Sequence, residues 1–146
     1  MTKKEDAKLY FADAFNCSQS VFTSFGKECG LTEDQCLKIG CAFGGGMGRQ
    51  QLTCGAVIGA LMALGIHFGR GLNDNISKKE LAYEKTIEFM LEFSKRNGSV
   101  CCKELLGGLR MNDPEEHKKI EELKLFQTAC VKYIEDAVEI TEQLIG

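Results

Sequence analysis

The residues of this sequence that could do chemistry are its cysteines, since the 146-residue chain has eight of them and only two histidines. They are Cys17, Cys29, Cys36, Cys41, Cys54, Cys101, Cys102 and Cys130. No two of them have the C-x-x-C spacing of thioredoxin-like and zinc-ribbon sites. In a chain without an export signal, many cysteines more often indicate redox chemistry or metal binding than structural disulfides. The sequence therefore predicts cysteine chemistry, not hydrolysis or nucleic-acid recognition.

Four of the cysteines follow a residue that can cap a helix. The pairs are Asn16 and Cys17, Thr53 and Cys54, Ser99 and Cys102, and Thr128 and Cys130. In the first turn of a helix the backbone N–H groups are unpaired and the helix dipole is positive, which lowers the pKa of a thiol. We expect the four sulfurs to meet in one pocket. Cys54 should be the most reactive thiol. The helix start lowers its pKa from about 8.5 toward about 7 where the mouth of the site is open, whereas burial among Val57, Ile58 and Leu61 shifts the pKa in the opposite direction.

The other cysteines have a simpler interpretation. Cysteine is among the most buried residue types and often only fills space. Cys29 and Cys36 are assigned to packing or to the surface, while Cys41 and Cys101 are secondary candidates for the site. Adjacent residues on a helix point about 100° apart, so either Cys101 or Cys102 can face the site while the other faces elsewhere.

Several segments together resemble one protein family. They are residues 16–21 around the first cysteine, the glycine-rich residues 44–49, residues 54–59 with the letters C-G-A-V-I-G, Cys102 before residues 104–107, and Cys130 with Val131. This combination resembles the family of redox-active proteins labelled C_GCAxxG_C_C, which has about this length and four defining cysteines. The resemblance spans about residues 10 to 145 and implies a site made of Cys17, Cys54, Cys102 and Cys130. Residues 40–45 also fit the label, which keeps Cys41 as a secondary candidate.

Three functions remain open on these residues. The first is a redox-active protein that uses clustered thiols for thiol–disulfide exchange or electron transfer, as a thiol-dependent oxidoreductase does, with an unidentified redox partner. The second is a metal or iron–sulfur module, because four thiolates complete the ligand set of Zn²⁺ or of a cluster. The ligands would then be Cys17, Cys54, Cys102 and Cys130. The third is a structural helical adaptor whose cysteines only pack.

Helices must position these cysteines, because the chain has one proline and almost no alternation of polar and apolar residues. Residues that can cap a helix recur at Thr2, Asn16, Thr32, Thr53, Ser77, Ser99 and Asp113. Residues 56–64 are apolar on every face, which is typical of a surrounded helix. We expect an all-α fold in which residues 1–146 form one domain, a bundle of five to seven helices around a central apolar helix at about 54–68.

Composition excludes several classes of partner. The net charge is −3, and no basic cluster provides the patch that nucleic-acid binding needs. The longest apolar run, residues 56–66, is shorter than the roughly 20 residues of a membrane helix. The polar N-terminus lacks the apolar core of a signal peptide. We expect a cytoplasmic protein without membrane insertion, and a homodimer remains open. The glycines at 44–48 should let the backbone pass close to the thiols.

Overall fold

The computed structural model describes residues 1–146 and contains eight α-helices and no strands, with 64% of the residues in helices. They are α1 (Lys3–Ala12), α2 (Cys17–Gly26), α3 (Glu33–Cys41), α4 (Gly55–Phe68), α5 (Ser77–Asn97), α6 (Cys102–Leu105), α7 (Pro114–Glu122) and α8 (Ala129–Ile145). The predicted all-α bundle is confirmed. The expected number of helices is too low by one, because the chain after residue 114 forms two helices. Lys124, with a φ of +53°, lies in the turn that separates them.

Side-chain caps determine where the first three helices begin. Thr2, Asn16 and Thr32 each accept a hydrogen bond from the backbone N–H of the third helical residue, whose own side chain bonds back to the cap. These capping boxes satisfy backbone groups that a helix end leaves unpaired. The α2 helix therefore begins at Cys17, as the sequence predicts.

Four other expected caps are wrong. No side-chain capping bond is made by Thr53, Ser77 or Thr128. Ser99 accepts from the Cys101 N–H at 2.9 Å, but Cys101 itself is the residue that precedes α6. Thr53 instead pairs with Cys101 in an isolated antiparallel bridge, and the Thr128 hydroxyl donates to the Lys124 carbonyl. As a result Cys54, rather than Thr53, is the residue that immediately precedes α4.

The core is built around α2 and α4, which pack against each other more extensively than any other pair of helices. Every residue of α2 from Ser18 to Gly26 is buried. The hydroxyls of Ser20 and Ser24 donate to backbone carbonyls about one turn earlier, so they can be buried at low cost. The apolar α4 buries most of its length, but Ile58 is half-buried and its last turn is exposed. The central position is therefore shared with α2, whose polar residues concealed it in the sequence.

The remaining long helices close the bundle around this pair. The α1 helix packs on α2 and α8, and α5 packs on α4 and α8. Phe89 and Phe93 of α5 and Ile134 of α8 are fully buried in the same core. Ile120 of α7 belongs to a second, smaller apolar cluster with Leu106. None of the eight helices combines the length and the hydrophobicity that crossing a lipid bilayer requires.

Gly59→Ala should destabilise the protein, because α2 and α4 touch through their backbones at this residue. A Cβ there would lie 2.8 Å from the Ser18 carbonyl oxygen and 3.1 Å from the Phe22 nitrogen, and overpacking of this kind costs about 1–3 kcal/mol. The matched control is Gly65→Ala in the same helix, where a Cβ meets nothing within 4 Å. The control should be neutral or stabilising by roughly 0.5–1 kcal/mol. Urea unfolding measures both, and equal stabilities would contradict the packing argument.

Candidate functional site, a cavity lined by four thiols

One cavity of about 930 Å³ receives cysteines from four separate parts of the chain. They are Cys17 at the start of α2, Cys54 before α4, Cys102 at the start of α6 and Cys130 in the first turn of α8. Cys41, an exposed residue at the end of α3, also lines the cavity. The remaining three, Cys29, Cys36 and Cys101, do not. All eight cysteines are free thiols in this structure.

A contact between Cys17 and Gly55 brings the first two thiols together. The cap formed by Asn16 and Gln19 starts α2 at Cys17. The Cys17 sulfur occupies the space beside Gly55, where a Cβ would overlap it. Because Gly55 directly follows Cys54, this contact places the start of α2 against the start of α4.

A short antiparallel contact positions Cys54 relative to Cys102. The Cys54 N–H donates to the Val100 carbonyl at 2.7 Å, and the Cys102 N–H donates to the Leu52 carbonyl at 2.6 Å. The contact is a single bridge and not a strand pair, so it needs no alternating pattern and left no signal in the sequence. It joins segments almost 50 residues apart.

The fourth thiol is held by the turn that precedes α8. The Cys130 N–H donates to the Leu125 carbonyl at 3.0 Å, and Tyr133, nearly one turn later, donates its hydroxyl to the Leu105 carbonyl at 2.7 Å. This hydrogen bond ties α8 to α6. Burial raises the pKa of Tyr133, and the nearby Cys130 thiolate would raise it further.

The glycine-rich loop between α3 and α4 surrounds the thiols with backbone rather than side chains. Residues 45–49 all have φ between +58° and +70°, a left-handed conformation that glycine adopts readily. A Cβ on Gly46 would lie 2.9 Å from the Cys102 Cβ. The expectation that these glycines let the backbone pass close to the thiols is confirmed.

Burial dominates the protonation of the four thiols. It raises the pKa of Cys102 and of Cys130 to about 12, and it also raises the pKa of Cys17 and Cys54. At Cys54, Cys102 and Cys130 neighbouring thiolates add to the increase, since a second negative charge nearby disfavours ionisation. At neutral pH the reduced cavity therefore contains protonated thiols.

The pKa of Cys54 is raised rather than lowered, so burial outweighs the helix start. The helix start does act as expected, because the N–H groups of Ala56 and Val57 lower this pKa. Desolvation is the larger effect, since Cys54 is only 6% exposed and packs in the hydrophobic core. The helix dipole would determine the Cys54 pKa only if the thiol were open to solvent.

The walls of the cavity were not predicted from the sequence. Their large apolar residues come from both ends of the chain and include Phe11, Phe15, Leu106, Met111 and Phe126. Lys8 and Arg49 also line the cavity, and Arg49 makes no ion pair. Of these residues, only Arg49 could have been identified from the sequence, because it directly follows the glycines at 44–48.

The side chains of the cavity are not arranged around a single point. No three His, Cys, Asp or Glu side chains are arranged to hold a metal ion, whereas Zn²⁺ lies about 2.3 Å from each of its sulfur ligands. An iron–sulfur cluster is larger than one Zn²⁺ ion, because it contains several irons and inorganic sulfide. Four cysteine ligands in a mainly apolar cavity are the donor set that such clusters use, so the residues present fit a cluster better than Zn²⁺.

Comparison with known proteins gives one family match. A family model described as "Putative redox-active protein (C_GCAxxG_C_C)" matches residues 15–144. The match includes all four cysteines of the cavity. No curated protein and no solved structure matches the chain at a significant level.

Alkylation of the reduced protein should label Cys41 well before Cys54. Cys41 is exposed, whereas Cys54 is buried with a raised pKa. Limiting iodoacetamide at neutral pH, followed by peptide mapping, gives the order. The rate at Cys54 should keep rising with pH beyond the point where an ordinary thiol, with a pKa of about 8.5, levels off. Preferential labelling of Cys54 at neutral pH would show that the thiol is more open and more acidic than this structure indicates.

Gly46→Ala should disturb the cavity, whereas Gly48→Ala should not. Both changes put alanine at a positive φ, which costs roughly 1–2 kcal/mol. Only the Cβ at residue 46 would also meet Cys102 and the backbone of Gln51 and Leu52; the Cβ at residue 48 meets nothing within 4 Å. Gly46→Ala should therefore lose more stability in urea and expose Cys102 to faster alkylation. Identical Cys102 labelling in the two variants would contradict the proposed close approach.

Proposed function

The chain belongs to the C_GCAxxG_C_C family of redox-active proteins, and we propose that its four cavity cysteines hold an iron–sulfur cluster that carries electrons. One observation carries the proposal. Besides the exposed Cys41, four buried or half-buried thiols from four distant segments line the same mainly apolar cavity. They are Cys17, Cys54, Cys102 and Cys130.

The number of thiols favours a cluster over a simple dithiol. Thiol–disulfide exchange needs one attacking and one resolving cysteine, so it would leave two of the four without a role. A cluster with four cysteine ligands uses all of them. When bound, the cluster would supply one-electron redox chemistry, and the protein would supply the ligands, the hydrogen bonds to sulfur and the exclusion of water.

The backbone around the thiols fits the charge of such a group. The N–H groups of Gly45, Ser18 and Ala56 favour negative charge on the Cys17 sulfur. Those of Ala56 and Val57 do the same for Cys54. Successive backbone N–H groups in a turn form a concavity that binds anions and iron–sulfur centres, and hydrogen bonds to the sulfurs help to set the reduction potential. These groups would stabilise the thiolates once metal displaces their protons.

Positive side chains provide a second source of charge balance. Arg49 lines the cavity and forms no ion pair within the chain. Lys8 also lines it and is 3.9 Å from Glu135. Both residues are exposed, so their charges are available to an anionic centre in the cavity, although solvent screens part of the effect.

Dithiol–disulfide chemistry is the second candidate, and the contact between α2 and α4 favours it for one pair. The Cys17 sulfur lies against Gly55, the residue that follows Cys54. Oxidation of this pair would remove two electrons and two protons and form a Cys17–Cys54 bond. A disulfide on a partner would accept these electrons and protons and would become two thiols.

Anaerobic reconstitution with ferrous iron and sulfide tests the proposed cluster. We expect the wild type to bind iron and inorganic sulfide in equal amounts and to show a visible absorption band that dithionite bleaches. Four single substitutions should each remove most of the bound iron, because each deletes a ligand. They are Cys17→Ser, Cys54→Ser, Cys102→Ser and Cys130→Ser. Cys29→Ser is the matched control, since Cys29 lies outside the cavity, and it should bind iron like the wild type.

Two results would count against the cluster. Equal iron binding by the four serine variants and by Cys29→Ser would show that the metal is bound elsewhere. Absence of bound iron, together with a Cys17–Cys54 crosslink after mild oxidation, would instead support the dithiol function. Circular dichroism of each metal-free variant shows whether a loss of iron follows from unfolding.

A further inference from the structure

Two cysteines outside the cavity contact the same residue of α2. The Cys29 N–H, in the turn that follows α2, donates to the Gly26 carbonyl at 3.0 Å. The Cys36 sulfur, in α3, lies so close to Gly26 that a Cβ on this glycine would be 2.7 Å from it. Gly26 therefore contacts both cysteines, and neither of them takes part in the proposed cluster.

The chain between the two cysteines is short and reverses sharply. Gly30, with a φ of +91°, follows Cys29 directly, and the capping box of Thr32 and Gln35 then starts α3. The Cys36 N–H donates to the Thr32 carbonyl at 3.0 Å. This arrangement turns Cys36 back toward the end of α2 and keeps both cysteines at one junction of two helices.

The two thiols differ in accessibility. Cys36 is fully buried, with 0% of its surface exposed, while Cys29 is half-buried. Burial raises the pKa of Cys36, and negative charge on Cys29 raises it further, whereas Lys27 has the opposite effect. The thiols are thus close enough to influence each other, but only Cys29 can meet a reagent from solution.

We propose that Cys29 and Cys36 form a second redox site, which reacts with low-molecular-weight disulfides. The Cys29 thiolate attacks one sulfur of the disulfide, forms a mixed disulfide and releases the first thiol. The Cys36 thiolate then attacks the Cys29 sulfur, forms the Cys29–Cys36 bond and releases the second thiol. The protein loses two electrons and two protons, and the external disulfide gains both and becomes two thiols. The reaction uses no cavity cysteine, so it goes beyond the proposed cluster function.

The bond would join the turn after α2 to α3, and both of these helices contribute residues to the cavity. The α2 helix begins at Cys17, and α3 leads into the glycine-rich loop. The two helices already interact, because the Gln19 side chain donates to the Leu37 carbonyl at 2.9 Å. A crosslink at their common end would restrict the unfolded chain and raise the melting temperature of the protein without changing the cavity ligands.

Peptide mapping after anaerobic exposure to oxidised glutathione tests the proposal. Trypsin releases residues 28–38 as one peptide that contains Cys29 and Cys36 and no other cysteine. We expect this peptide to be two hydrogen atoms lighter and resistant to alkylation until a reductant is added. Cys41, alone in the peptide 39–49, is exposed and serves as the internal control for a thiol that only becomes glutathionylated.

Single substitutions distinguish the attacking thiol, Cys29, from the resolving thiol, Cys36. Cys36→Ser should leave glutathione attached to residue 29, because no resolving thiol remains. Cys29→Ser should leave Cys36 unmodified, because the buried thiol does not reach the reagent. The proposal is overturned if wild-type Cys29 keeps its glutathione while Cys36 stays reduced, or if both stay reduced while Cys41 is modified. The wild-type result decides the question even where a variant fails to fold.

Discussion

The backbone contact between α2 and α4 is the constraint on which the thiol cavity depends. At Gly55 and Gly59 the α4 helix presents no side chain, and α2 occupies that space with its own backbone and with the Cys17 sulfur. Any larger residue would force the helices apart and move Cys17 away from Cys54. The most buried helix, α2, and the most apolar helix, α4, therefore meet beside the cavity thiols.

The energetic balance at this contact explains why the thiols are not acidic. A helix N-terminus stabilises a negative charge by up to about 2 kcal/mol, or about one and a half pKa units at 1.36 kcal/mol per unit. Full burial shifts a pKa by up to about 3–5 units in the other direction. The cavity thus keeps neutral thiols in the reduced protein. The iron ions of the proposed cluster would reverse the balance at each sulfur, because they supply the positive charge that the apolar wall cannot.

The glycine-rich loop shows how the protein holds strained backbone at the site. Met47, Arg49 and Gln51 all adopt positive φ, which is unfavourable for residues with a side chain. Buried Gln51 offsets part of this cost, since its amide donates to the Leu109 carbonyl at 2.8 Å and accepts from the Met111 N–H at 2.7 Å. These bonds attach the loop to the segment after α6, so the strained turn and the Cys102 region hold each other in place.

The sequence by itself determined the features that depend on a few neighbouring residues. The caps at Thr2, Asn16 and Thr32 could be identified from the sequence, and Asn16 thereby placed Cys17 at the start of α2. The family pattern pointed to the four cysteines that line the cavity. The helical class followed from the near absence of alternation, and the apolar residues 56–64 indicated a helix close to the centre of the bundle.

Only the tertiary structure decided how these parts meet. The single bridge between Thr53 and Cys101 joins two segments without any repeating pattern, so no local signal announces it. The central place of α2 was hidden because the helix is rich in polar residues, of which Ser20 and Ser24 bond to backbone carbonyls of the same segment. The sign of the Cys54 pKa shift depends on burial, which sums contacts from the whole chain, whereas a helix start depends on neighbouring residues alone. Local spacing therefore identified the thiols, and global packing set their chemistry.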